Sequence, residues 1–203
     1  MATQFREAVA AQQKILPFER RATSRFHTVM RVAKVTRAND VGLWRVRNMS
    51  DEGMMLLTHM RVNEGEALSI ALSATITLNG RAVWWDGERC GVQFDAPVDC
   101  EALLRDLVEE QRSPGHRPLR LPVSTRATVY CERGLHSVKL YDLSQRGAAF
   151  THDGCFEAGM CTMLLFENGE EHRGVIRWTE GGRAGIYLVE PVASSRLESA
   201  ARF

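Results

Sequence analysis

The hexapeptide NMSDEG at residues 48–53 returns 94 positions later as DLSQRG at 142–147. The register then runs on without a gap. Gly65 falls on Gly159, Gly80 on Gly174, Trp84 on Trp178, Gly91 on Gly185 and Pro97 on Pro191. Apolar positions follow the same offset, with Val46 on Leu140, Ile70 on Leu164 and Val92 on Ile186. Glycines, a tryptophan and a proline falling in step over fifty residues mark an internal duplication, so the chain is built from two similar units.

Each unit reads as all-β. RFHTVMRVAKVTR (25–37) and LPVSTRATVYCE (121–132) are rich in β-branched residues and alternate loosely. LWRVRNMS and SVKLYDLS follow after short loops holding Gly42 and Gly134, and ALSIALSATITL and CTMLLFE supply middle strands. GRAVWWDGERCGVQF (80–94) and GVIRWTEGGRAGIYL (174–188) are hairpins with glycine in the turn. Short, evenly spaced strands with glycine punctuation imply a small antiparallel barrel, which removes its own edges.

Between the units, DCEALLRDLVEEQR reads as a helix over 99–112. Asp99 stands as N-cap, and Leu103, Leu104, Leu107 and Val108 form an apolar stripe. SPGHRP (113–118) ends it, because Pro114 and Gly115 cannot continue a helix. The expected organisation is an N-terminal arm over 1–17, a first barrel with its helix over 18–112, a linker over 113–118 and a second barrel over 119–203. The tail 192–203 is short and polar, with no second long helix expected.

Composition narrows the function. The 203 residues carry 26 Lys plus Arg against 25 Asp plus Glu, a formal charge of +1. Near-neutrality argues against a nucleic-acid polymer as partner, since such binding rests on many phosphate contacts. The five cysteines are scattered with no C-x-x-C pair, and read as reduced, small hydrophobes of a cytoplasmic protein. The six histidines form no metal-ligand pair and read as surface or loop residues. No run is apolar and long enough to insert in a membrane. No nucleophile–base set or phosphate-binding glycine loop is visible, so no catalysis, metal or cofactor is expected.

The local exception to neutrality is ERRATSRF (19–26), which places Arg20, Arg21 and Arg25 just ahead of the first strand. An Arg-x-x-x-Arg before the first strand, followed by Asp/Asn-x-Ser-x-x-Gly after the second, resembles the PilZ domain family. Arg21 and Arg25 fit the first element; Asn48, Ser50 and Gly53 fit the second. The hairpin VWWDGERCGVQF is also similar to the family's. The resemblance covers about 18–112 well and 116–191 in outline. It implies a six-stranded Greek-key barrel with a C-terminal helix and a bacterial, noncatalytic receptor for the second messenger cyclic di-GMP, acting on a downstream protein that the sequence does not name.

The chemistry of the residues agrees. A guanidinium fork binds phosphate bidentately and its plane stacks on a purine. Guanine offers O6 and N7 to arginine, and its N1 and N2 donors need an acceptor such as the Asn48 carbonyl. Ser50 can donate or accept on the same edge, and Gly53 is expected to let the backbone turn and approach the ring. Arg20 adds a cation, which by family analogy favours two stacked ligand molecules.

The second unit keeps Asp142, Ser144 and Gly147, but its arginine element is degraded. With Arg120 on Arg25, His116 stands where Arg21 would be, and Arg117 with Arg120 gives R-x-x-R. This copy reads as one kept for its fold, with a remodelled, weaker site at Arg120, Asp142, Ser144 and Gly147 as the alternative. For the whole chain the alternative to a receptor is a PilZ-like protein-interaction module that works without the dinucleotide.

Overall fold

A computed structural model describes residues 26–154 and 156–203, with the side chains of 26–30 left aside. Arg20, Arg21 and Arg25, the arm over 1–17 and Cys155 lie outside the described residues.

The first unit runs β1 (Phe26–Thr36), β2 (Val41–Ser50), β3 (Gly53–Leu57), β4 (Ala67–Ala71), β5 (Thr77–Trp85) and β6 (Arg89–Phe94), then α1 (Cys100–Arg112). The second runs β7 (Leu121–Cys131), β8 (Gly134–Ser144), β9 (Gly147–Thr151), β10 (Cys161–Phe166), β11 (Glu171–Glu180) and β12 (Arg183–Leu188). All pairings are antiparallel, and each unit closes into a six-stranded barrel, in the order β1-β2-β3-β6-β5-β4 and its counterpart β7-β8-β9-β12-β11-β10. Two tandem barrels with one helix after the first is the architecture that the repeat and the glycine spacing imply.

The duplication extends to single hydrogen bonds. Val98 N–H donates to the Asp51 carbonyl, and Val192 N–H to that of Gln145, each at 2.8 Å. Gly65 N–H donates to Ala82 as Gly159 does to Ile176. Bulges recur as well, between Val46 and Asn48 and between Leu140 and Asp142, then between Ala82 and Trp84 and between Ile176 and Trp178. A bulge re-aims the side chains beside it. The ones before Asn48 and Asp142 therefore set how each motif strand presents its polar end.

Both cores alternate as pleated strands require. Ala33, Val35, Val46, Leu56, Ile70 and Val92 fill the first barrel, and Val129, Leu140, Phe150, Leu164 and Ile176 the second. Trp84 and Trp178 stay on the rim, 40% and 39% exposed, each lying so close over Gly91 or Gly185 that a Cβ there would strike the indole. Burial pushes the Cys90 thiol up to about 11, so it stays protonated at neutral pH. Cys100 and Cys131 are buried too, whereas Cys161 is exposed and does not fit the expected hydrophobe role. Among the described residues, no helix is long and apolar enough to cross a membrane.

Helix α1 starts where expected: the Asp99 side chain accepts from Ala102 N–H at 2.9 Å. Its apolar stripe divides. Leu103, Leu104 and Leu107 pack on the first core, while Val108 is exposed.

The tail departs from the sequence reading. Residues 192–203 are not a polar end: Val192, Leu197, Glu198 and Ser199 are buried, and a short 3₁₀ turn closes the chain at Ala200–Arg202. In repeat register this segment stands where α1 stands in the first unit, but it reaches back to the first barrel. Leu43 N–H donates to the Leu197 carbonyl at 2.7 Å, and Trp44 Nε1 to the Glu198 carbonyl at 2.8 Å. The Glu198 carboxylate accepts from His59 N–H at 2.9 Å and meets the His59 ring at 3.1 Å. Asp40 accepts from Ala200 N–H. Gly42 lies under this contact, and any Cβ there would collide with the Glu198 carbonyl. The polar letters hid the tail because backbone atoms make most of these contacts. His172 departs from the surface assignment as well. It is buried in β11, between Glu170 Oε1 at 3.0 Å and the Glu190 carbonyl at 3.3 Å.

Candidate functional site

In the first barrel, β1 enters beside the motif strand. Phe26 pairs with Met49 and His27 with Asn48. The chain therefore joins the barrel one residue after Arg25, alongside Asn48 and Ser50. Those two residues and Gly53 are held together by the β2–β3 turn, in which Ser50 pairs with Gly53.

Ser50 is buried and its Oγ donates to the Gly53 carbonyl at 3.2 Å. Its only proton is thus committed inside the turn. Toward a ligand this hydroxyl is an acceptor, which narrows the donor-or-acceptor reading from sequence. Asn48 Oδ1 is buried and has no hydrogen-bond partner among the described residues. A buried carbonyl without a donor costs about 1–3 kcal/mol. The cost is removed when a donor arrives, and guanine N1–H and N2–H are donors of that kind.

Gly53 meets a demand within the sheet as well. Its φ is not positive, and a Cβ there would strike the Val92 carbonyl on β6. The glycine is required by close packing of β3 on β6, not by a left-handed turn. Gly147 is looser, with the Ile186 carbonyl 3.3 Å and Ser144 Oγ 3.4 Å from an added Cβ.

The turn is tied to the helix. Asp51 Oδ1 accepts from Cys100 N–H at 3.1 Å, at the first residue of α1, and Phe94 N–H donates to the Glu52 carbonyl at 2.8 Å. The far end of α1 is fixed to β1, where Arg31 Nη2 donates to the Leu107 carbonyl at 3.2 Å and to Gln111 Oε1 at 3.1 Å. The sequence pattern does not single out Asp51, because the motif leaves its position free. Its signal was its place one residue after Ser50, inside a turn that must cap something.

The second barrel offers an internal comparison. β7 begins at Leu121 opposite Leu143, the counterpart of Phe26 opposite Met49, so Arg120 occupies the place of Arg25. Arg120 Nη1 contacts Asp142 Oδ1 at 2.5 Å. Ser144 Oγ donates to the Gly147 carbonyl at 3.3 Å, as Ser50 does to Gly53. The turn is thus preserved, while the arginine and the acid are satisfied by each other. A metal-ligating group of three or more His, Cys, Asp or Glu does not occur among the described residues.

The sequence model of the PilZ domain matches residues 19–110. No curated protein shows significant sequence similarity to the chain. Among solved structures, similarity is found to PlzA of Borreliella burgdorferi in complex with c-di-GMP, at 14% identity, over 83% of this chain and 86% of that one, with a TM-score of 0.38. The inhibitor of motility MotI/DgrA of Bacillus subtilis follows at 11% identity, over 82% and 91%, with a TM-score of 0.33. YcgR of Escherichia coli in complex with c-di-GMP is 9% identical over 82% and 80%, with a TM-score of 0.34.

Proposed function

Residues 19–110 match the sequence model of the PilZ domain family, and from that match we propose that the chain is a member of the family whose first barrel is a noncatalytic receptor for cyclic di-GMP. Arg20, Arg21 and Arg25 take the phosphates and stack on the purines, while Asn48 and Ser50 accept from a guanine edge and Gly53 keeps the turn close to β6. The observation that carries this reading is Asn48 Oδ1, a buried acceptor without a described partner, at the point where β1 enters the barrel one residue after Arg25. The second barrel, with Arg120 spent on Asp142, is proposed as a copy that keeps the fold without binding cyclic di-GMP.

Transmission follows from the tether. A ligand held between the arginine segment and the motif turn also loads Asp51, and through it the start of α1. The helix is then the part of the first unit that reports occupancy to the second barrel and to a downstream protein partner. A ligand shifts such an equilibrium only through contacts made in one state and not the other, and here those contacts are the arginines. We place the protein in the bacterial cytoplasm, where cyclic di-GMP is made, and assign it no nucleic-acid polymer as partner.

Calorimetric titration with cyclic di-GMP, with cyclic di-AMP as comparator, tests the reading. Saturable binding of the guanine ligand alone is expected. Asn48→Ala should weaken it by a factor of about 5, for one neutral hydrogen bond of roughly 1 kcal/mol, and should narrow the gap to cyclic di-AMP. An unchanged guanine preference in Asn48→Ala would remove Asn48 from the base-reading role. Absence of any saturable binding would leave the interaction module that works without the dinucleotide.

A further inference from the structure

A cavity lies away from the Asn48, Ser50 and Gly53 turn of the first barrel. It is a cleft of about 950 Å3 between α1 and the second barrel, within the size range of small-molecule sites. Its charge is one-sided. Arg31, Arg117, Arg120, Arg146 and Arg177 line it, and no carboxylate lines it among the described residues. The remainder of the wall is apolar: Leu104, Leu107 and Val108 of α1 on one side, Trp178 and Tyr187 on the other.

Among the described residues, the hydrogen-bond and ring partners of three of these guanidiniums are neutral groups. Arg31 donates to the Leu107 carbonyl and Gln111 Oε1, and Arg146 Nη1 to the Val189 carbonyl at 2.8 Å. Arg177 lies 5.2 Å from the Tyr187 ring centre. Burial holds the Arg31 guanidinium below its ordinary pKa, with Glu110 opposing the shift. A partly buried cation with neutral partners gains from an incoming anion, since charge-assisted hydrogen bonds are about twice as strong as neutral ones. Guanine reading is not the chemistry on offer, because Asp142, the counterpart of the unengaged Asn48 acceptor, is already held by Arg120. The exposed half of the α1 stripe, Val108, has no covering element in the described chain, yet it faces this cationic wall.

We propose that this cleft is a second ligand site, which takes an amphipathic organic phosphate, with its anionic head on the arginines and its apolar body along α1. Its occupant touches both barrels, and so fixes α1 against the second one. The site is separate from the cyclic di-GMP site of the first barrel and does not depend on it.

The full chain carrying Arg21→Ala and Arg25→Ala removes the proposed first site from the measurement. It would be titrated with 1-naphthyl phosphate, octyl phosphate and inorganic phosphate. At least one of the two organic phosphates should bind saturably, at least about tenfold more tightly than inorganic phosphate. A preference for the octyl compound assigns an alkyl, lipid-like body; a preference for the naphthyl compound assigns an aromatic one. Arg117→Glu with Arg146→Glu should weaken binding by at least about tenfold, as should Val108→Glu, which places a carboxylate on the apolar wall. All three positions are exposed at the cleft mouth, so the variants should fold, as thermal melting would show. Neither organic phosphate binding, inorganic phosphate binding as tightly as both, or binding unmoved by these substitutions would overturn the proposal. Cyclic di-GMP binding by the chain with Arg21 and Arg25 intact decides the first-barrel reading separately.

Discussion

Replacing Arg21 or Arg25 by alanine should weaken cyclic di-GMP binding by at least about tenfold each. Each substitution removes a charge-assisted contact of about 1.5–3 kcal/mol, and every 1.4 kcal/mol is a factor of ten. The two should not simply add, because both grip one ligand and neighbouring contacts couple. Lysine at either position should restore only part of the loss, since an ammonium keeps the charge but neither the fork nor the stacking plane. The double variant Arg21→Ala/Arg25→Ala should show no residual cyclic di-GMP binding. If a saturable phase survived and then vanished on Asp142→Ala or Ser144→Ala, the second barrel would be the receptor. Arg20→Ala separates stoichiometry from affinity. If two stacked molecules occupy the site, losing this cation should lower the ligand number from two to one while binding persists.

The second large effect concerns stability. Trp44 is 1% exposed, packs in the first core, and donates to the Glu198 carbonyl of the tail. Trp44→Ala should cost about 3–5 kcal/mol through the cavity alone, out of a total of about 5–15 kcal/mol. In a chain of this length that lowers the melting midpoint by roughly 10 °C. Trp44→Phe keeps most of the volume but leaves the Glu198 carbonyl without its donor, at a cost of about 1–2 kcal/mol. Because Leu43 packs in the second core and bonds to Leu197, the barrels should melt together in the parent chain. Deleting residues 194–203 removes the clasp and should split that melt into two transitions. A single unshifted transition after the deletion would show that α1 and the linker alone couple the barrels.

What was legible in the sequence followed from local chemistry. The 94-residue register carried the two-barrel topology because Gly80 and Gly174, Gly91 and Gly185, and Trp84 and Trp178 each answer a demand within their own hairpin. Gly91 under Trp84 and Gly185 under Trp178 are one constraint written twice. Helix α1 was readable to its first residue, because an N-cap and a Pro-Gly stop act on adjacent backbone. Asn48, Ser50 and Gly53 were readable as a constellation, although the reason for Gly53 lies across the sheet on β6 and not in the turn. The contacts between barrels were not readable. Leu197 and Glu198 engage the first barrel mainly through backbone atoms some 150 residues away, and backbone contacts leave no trace in residue type. The cleft was hidden for a related reason. Arg31, Arg146 and Arg177 sit on three different strands or turns, each looks like an ordinary surface cation, and only the packing of α1 brings them to one wall.

Cyclic di-GMP is proposed to sit between the arginine segment and the motif turn of the first barrel. Amide hydrogen exchange with and without the dinucleotide tests it most directly, because it reads both sides of the ligand at once. Protection should rise over 18–28 and over 48–54, with a smaller rise at the start of α1 through Asp51. Protection that rose instead over 117–121 and 142–147, with 18–28 and 48–54 unchanged, would contradict it.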